Sequence, residues 1–186
     1  MERFATGVND SDYDRLIRPI KRQMTNAVWR IVRDPSETED VIQEVLMRIV
    51  CDMGRIRRHR NPTALMLRMC SNAAIDNIRK RAGRQRLFER WRKAPTWHPV
   101  AEKGNQVEHD ELREAIVGAI AQLPKRESEA VMLVCVEGLS NQECAEAMGC
   151  SASTVRVLVA RARKRLRQNE AIKCAQHGQE RKHDAQ

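Results

Sequence analysis

The chain has 186 residues, a formal charge of +9, and only three Trp, one Tyr and two Phe. That length holds one ordinary domain or two small ones, and so few rings argue against a large sheet. The weight of Leu, Ala, Arg, Glu and Met favours helix, and the positive excess suits a polyanionic partner, most simply nucleic acid.

No secretory leader and no long apolar run stand in the sequence, so a soluble, cytoplasmic protein without membrane insertion is expected. Punctuation by Pro and Gly divides the chain into two helical blocks. In the first, a helix is predicted over Ser11–Arg33, divided at Pro19, with Val28, Ile31 and Val32 on its apolar side. Asp34-Pro35 ends it. Ser36, with Glu39 three residues on, reads as a capping box opening the next helix. Val41, Val45, Leu46 and Ile49 give that helix its buried face, and Gly54 closes it. A basic loop, Arg55–Arg60, leads to Asn61 as cap and Pro62 at the first position of a third helix. Leu67, Ala74, Ile75 and Ile78 recur along it at helical spacing, and it runs out into Arg79-Lys80-Arg81.

Residues 85–108 carry Pro95, Pro99 and Gly104 without periodicity and read as a flexible linker. The second block starts with a helix over Asp110–Gln122. Leu123-Pro124 breaks it, and a helix over Lys125–Glu137 ends at Gly138. Ser140 and Glu143 form a capping box for a short helix that stops at Met148-Gly149, where Gly suits a left-handed residue. Ser151 or Ser153 caps the last helix. A polar tail is expected beyond Gln168.

A short helix, a tight glycine turn and a longer basic helix form the layout of a DNA-reading helix-turn-helix. Ala145 is small, as close helix packing requires. Val155, Val159, Ala162 and Leu166 share one face of the last helix. The other side carries Ser153, Thr154, Arg156, Arg161, Arg163 and Lys164, and no acid occurs between Ser151 and Gln168. Arg156 and Arg163 stand about 10 Å apart along the axis, at a rise of about 1.5 Å per residue, which suits successive contacts along a major groove. Arginine reads guanine bidentately, and the later residues suit phosphates.

The remaining chemistry is sparse. Cys51, Cys70, Cys135, Cys144, Cys150 and Cys174 contain no CxxC pair and are expected reduced, with Cys144 and Cys150 as small core residues and a redox switch as the other option. Cys174, His177 and His183 make at most half a metal site. No catalytic arrangement or phosphate loop is present, so no enzyme activity, cofactor or metal is expected.

The residues Leu123-Pro124, Glu129, Glu137-Gly138-Leu139-Ser140, Glu143, Ala145, Met148-Gly149, Ser153–Arg156 and Arg161–Leu166 together resemble region 4 of the extracytoplasmic-function sigma factors. Glu39–Arg48 resembles their region 2.2, and Leu65–Met69 with Asn72–Lys80 resembles regions 2.3 and 2.4. The resemblance implies an all-α protein of two small helical domains: region 2 over 1–84, a linker over 85–108, region 4 over 109–168 and a polar tail over 169–186. It further implies an RNA polymerase sigma factor. Asp40, Gln43, Glu44 and Met47 would bind the β′ clamp helices of core polymerase, beside a local acidic patch with Asp34, Glu37 and Glu39. Region 4 would meet the β flap. Arg57, Arg58, His59, Asn61, Asn72, Arg79 and Lys80 would engage the −10 element, and the six polar residues of the last helix the −35 element. An anti-sigma factor is a further implied partner. Leu65 and Pro62 stand where the family carries Trp and Phe, so stacking of −10 bases on protein rings is not expected unless His59 supplies the ring, and Val157 replaces the family's Ser in the recognition helix. Two other readings stay open: a stand-alone dimeric helix-turn-helix regulator, and an interaction protein whose basic linker binds RNA or an acidic regulator.

Overall fold

A computed structural model describes residues 12–91 and 107–174. Every element among these is helical. A single π-type turn, Tyr13–Ile17, and a 3-10 turn, Arg18–Ile20, precede α1 (Lys21–Val32). Pro19 accounts for the tightened turn, because it lacks the N–H that a continuous α-helix would use. Then follow α2 (Pro35–Cys51), α3 (Met53–Arg57), α4 (Pro62–Trp91), α5 (Val107–Gln122), α6 (Lys125–Val131) with a π turn over Met132–Val136, α7 (Asn141–Met148) and α8 (Ala152–Arg167).

Four boundaries differ from the sequence expectation, the first three for a local reason. The cap of α2 is Asp34, not Ser36: its carboxylate accepts the Glu37 N–H at 2.8 Å, with Pro35 at the first helical position. Asp caps at least as well as Ser, and Pro favours that position. Gly54 does not close α2; Asp52 does, and Gly54 lies inside α3, so the basic segment begins as helix rather than loop. Beyond Gln168, residues 170–174 are helical, Asn169 accepts the Ala171 N–H at 3.0 Å, and Ile172 is buried. The polar tail therefore begins later than expected. The helix α4 also continues to Trp91. The linker residues 92–106, with Pro95, Pro99 and Gly104, lie outside the described residues, as do His177 and His183.

The predicted turn chemistry in the second block is present. Ser140 accepts the Glu143 N–H at 3.2 Å while the Glu143 carboxylate accepts the Ser140 N–H at 2.9 Å. Gly149 has φ +63, a left-handed value that costs glycine least. Of the two candidates for the last cap, Ser151 takes the role, accepting the Thr154 N–H at 3.2 Å.

Both blocks contribute to one continuous apolar core. Val28, Val45, Ile49, Met66 and Leu67 come from the first, and Leu133, Cys144, Val155 and Ala162 from the second. The long α4 is the shared element, packing on α1 and α2 on one side and on α5 and α7 on the other. The two blocks thus lie against each other, and that placement decides which predicted site residues are free.

Candidate nucleic-acid interface

The recognition surface is built by α7 and α8. Burial of Val155, Val159 and Ala162 anchors α8 on Cys144, Ala145 and Met148 of the same apolar core. With that stripe facing inward, Ser153, Thr154, Arg156, Arg161, Arg163 and Lys164 all emerge on the exposed side. Arg163 also donates to the Cys135 sulfur at 3.3 Å, and Arg165 pairs with the buried Glu127 at 3.0 Å. Val157, beside Arg156, is 48% exposed, an apolar side chain within a cationic face. The arrangement presents hydrogen-bond donors and positive charge on a helix held rigidly from behind, which is what reading a major groove requires.

The acidic stripe is equally clear. Asp40, Gln43, Glu44 and Met47 recur at three- and four-residue steps on the outer side of α2, and all four are exposed. Met47 is 70% exposed, and Val50, which sequence reading passed over, extends the apolar end. Carboxylates around an exposed methionine suit a protein partner carrying basic residues.

The residues predicted for the −10 element divide into free and engaged. Lys80 is exposed, and Arg58 is exposed while its Nε donates to the Gly54 carbonyl at 2.9 Å. Arg57 donates to Asp12 at 2.9 Å. The Asn61 N–H donates to His59 Nδ1 at 3.1 Å, and Asn61 Oδ1 caps α4 through the Ala64 N–H at 3.0 Å. Asn72 and Arg79 point into the second block. Asn72 donates to Glu129 at 3.0 Å, and Arg79 donates to the carbonyls of Ala121 and Leu123 at 2.8 and 3.0 Å.

Sequence reading missed the pair at the centre of this contact. Arg68 donates to Glu129 Oε2 through Nε and Nη2 at 3.1 and 3.0 Å, and its third nitrogen donates to the Ala147 carbonyl at 2.9 Å. The Glu129 side chain is only 2% exposed. A signal was available: Arg68 interrupts the apolar run Leu65–Cys70, and Glu129 precedes the apolar run Ala130–Val136. A charge on a buried helical face calls for a buried partner.

Further ion pairs flank it. Arg60 meets Glu146 at 3.1 Å, and Arg30 meets Glu137 at 3.4 Å. Burial pushes the Glu137 carboxyl above its ordinary value, with the Arg30 charge and hydrogen bond opposing it. A raised carboxyl favours the folded state fully below the ordinary carboxylate range, and that contribution is lost as pH rises through the raised value. Glu137→Gln should therefore raise the melting temperature at pH 7, with the advantage fading as pH falls toward 4; thermal melts of both proteins across that range check this.

The thiols are all free. Burial pushes the Cys70 thiol up to about 12, with Glu137 adding to the effect. Burial also pushes Cys144 up to about 11, followed by the charge of Cys150. Both are protonated at neutral pH, which suits packing rather than reactivity. Among the described residues no group of His, Cys, Asp and Glu is arranged to hold a metal, and no helix is long and apolar enough to cross a membrane.

Helices in every described element, with an exposed cationic helix behind a capped glycine turn, have the layout of the helix-turn-helix class. Residues 16–84 match the family model for sigma-70 region 2, and residues 113–166 match that for sigma-70, region 4. The RNA polymerase sigma factor CarQ of Myxococcus xanthus is 27% identical over 168 residues, covering 90% of this chain and 94% of that protein. The extracytoplasmic-function sigma factor SigE of Mycolicibacterium smegmatis is 29% identical over 161 residues, covering 83% of this chain and 60% of that protein. The sigma factor RpoE of Bartonella quintana, solved with the anti-sigma factor NepR, shares the fold with a TM-score of 0.52 at 21% identity, covering 88% of this chain and 98% of that one. The chain belongs to the sigma-70 family as an extracytoplasmic-function sigma factor, a protein that directs transcription initiation and is not itself an enzyme. That membership sets aside the stand-alone regulator and the RNA-binding interaction protein.

Proposed function

We propose that the chain works in the cytoplasm as two domains corresponding to the expected 1–84 and 109–168, joined by a linker between α4 and α5, with the tail beginning after the helical residues 170–174. The first docks on the β′ clamp helices of core RNA polymerase through Asp40, Gln43, Glu44 and Met47. It holds the −10 element with Arg57, Arg58, His59, Asn61, Asn72, Arg79 and Lys80. The second approaches the β flap and reads the −35 element with Ser153, Thr154, Arg156, Arg161, Arg163 and Lys164. The observation that carries this reading is the single exposed, acid-free face of α8, backed by an apolar stripe that fixes its orientation. An anti-sigma factor is a proposed partner, supported by the likeness to RpoE, which was solved with one.

The docking half is tested by co-purification with core polymerase. The wild-type chain should be retained, and the triple variant Gln43→Ala, Glu44→Lys, Met47→Ala should be lost from the complex while keeping its helical circular dichroism. These side chains are exposed, so their replacement leaves the core intact. Retention of the triple variant at wild-type level would remove α2 as the docking face.

A further inference from the structure

We infer that Arg68 and Asn72 form an anion site for a phosphate of the promoter's −10 strand, and that Glu129 occupies this site as an in-chain competitor. The inference rests on the reading of the first block as the −10 surface and adds Arg68 to it.

Glu129 receives three hydrogen bonds from the first block. Two come from the Arg68 guanidinium at 3.1 and 3.0 Å, and one comes from Asn72 at 3.0 Å. A guanidinium supplemented by an amide N–H is also what holds a phosphate oxygen. A carboxylate this deeply buried is costly unless paired, and an apolar pair of similar volume would hold the blocks together as well. The charge therefore calls for a reason beyond stability. Arg68 is not sealed in: its side chain keeps 26% of its exposure, and together with Asn72 it lines an open cavity of about 270 Å³ shared with a second cation, Arg55, and with one carboxylate, Asp52.

Most of the surrounding polar contacts run in one direction. Arg30 donates to the Val136 carbonyl and Glu137, Arg60 pairs with Glu146, and Arg68 donates to the Ala147 carbonyl. Arg79 donates to the carbonyls of Ala121 and Leu123. The first block supplies the donors and the second the acceptors, with Arg113 to the Arg30 carbonyl running the other way. A surface of acceptors and carboxylates offers a basic groove what a phosphate backbone offers. In its polar contacts, beside the shared apolar core, the second block therefore meets the first as a phosphate backbone would, and strand and Glu129 exclude each other at Arg68.

The test measures binding of a labelled 12-nucleotide single-stranded DNA of mixed sequence to the full chain by fluorescence anisotropy at low salt. Glu129→Gln should bind about tenfold tighter than wild type, because the competing anion is gone. The gain should vanish in the double variant Glu129→Gln, Arg68→Gln. An affinity within about twofold of wild type for Glu129→Gln, or a gain that survives loss of Arg68, overturns the proposal. A second measurement needs no variant. Saturating the wild-type chain with the same DNA should speed amide hydrogen exchange in α6, which carries Glu129; unchanged exchange overturns the proposal as well. Failure of the sigma reading would show elsewhere, as absence of promoter-directed transcription with core polymerase, whereas the anion site is read from affinity and exchange alone.

Discussion

Arg156→Ala is expected to weaken binding to a −35 duplex by about 1–3 kcal/mol, a loss of roughly 5- to 150-fold, with relaxed preference at a single base pair. Arg156 stands on the first turns of α8, exposed, at the flank of the buried Val155 and Val159 stripe. Recognition helices meet base edges with their N-terminal residues, and a bidentate arginine loses both bonds to its base when truncated. Arg161 and Lys164 lie further along and are better placed for backbone. Their replacement by Ala should lower affinity evenly across sequences and reduce the salt slope by about one for each charge removed. Binding titrations over a −35 library at several salt concentrations separate the two behaviours. Equal loss on every sequence for Arg156→Ala would reassign that residue to phosphate.

The second large effect is expected on stability. Arg68→Met strands the Glu129 carboxylate with Asn72 as its remaining side-chain partner, and removing one member of a buried ion pair costs about 3–5 kcal/mol. Replacing both members, Arg68→Met with Glu129→Leu, should recover most of that loss, because no unpaired charge is left behind. Denaturant unfolding of the two single variants and the double variant gives the coupling directly. Losses that simply add would mean that the carboxylate finds water or another cation once Arg68 is gone. The contrast matters for the anion site. Glu129→Gln keeps a hydrogen-bonding group, and the charge it leaves without a carboxylate is that of Arg68, whose side chain is 26% exposed and reaches solvent.

Much of this architecture is legible in the sequence because local signals agree with tertiary packing. The Ser140 capping box, the left-handed Gly149 and the Val155–Val159–Ala162 stripe are short-range features, and each stands where its pattern places it. The errors arise where two short-range signals compete. Asp34 outranks Ser36 because Pro35 lies between them and belongs at the first helical position. Gly54 resembles a stop, but the Asp52 N–H already bonds back to the Arg48 carbonyl and α3 begins at once.

What the sequence does not convey is the pairing of distant residues. Arg68 and Glu129 stand 61 positions apart, and helical periodicity cannot say that two buried charges meet. Asn72 and Arg79 were legible as polar residues on the basic side of α4, but their engagement with Glu129 and with the Ala121 and Leu123 carbonyls depends on how the blocks pack.

We propose that this chain confers promoter choice on core polymerase through α8. In vitro transcription with purified core enzyme and a promoter library tests it most directly. Adding the chain should yield transcripts from a subset of promoters sharing spaced −35 and −10 elements, and Arg156→Ala should abolish or shift that subset. Transcription no different from core enzyme alone, or the same promoter subset with Arg156→Ala, would contradict it.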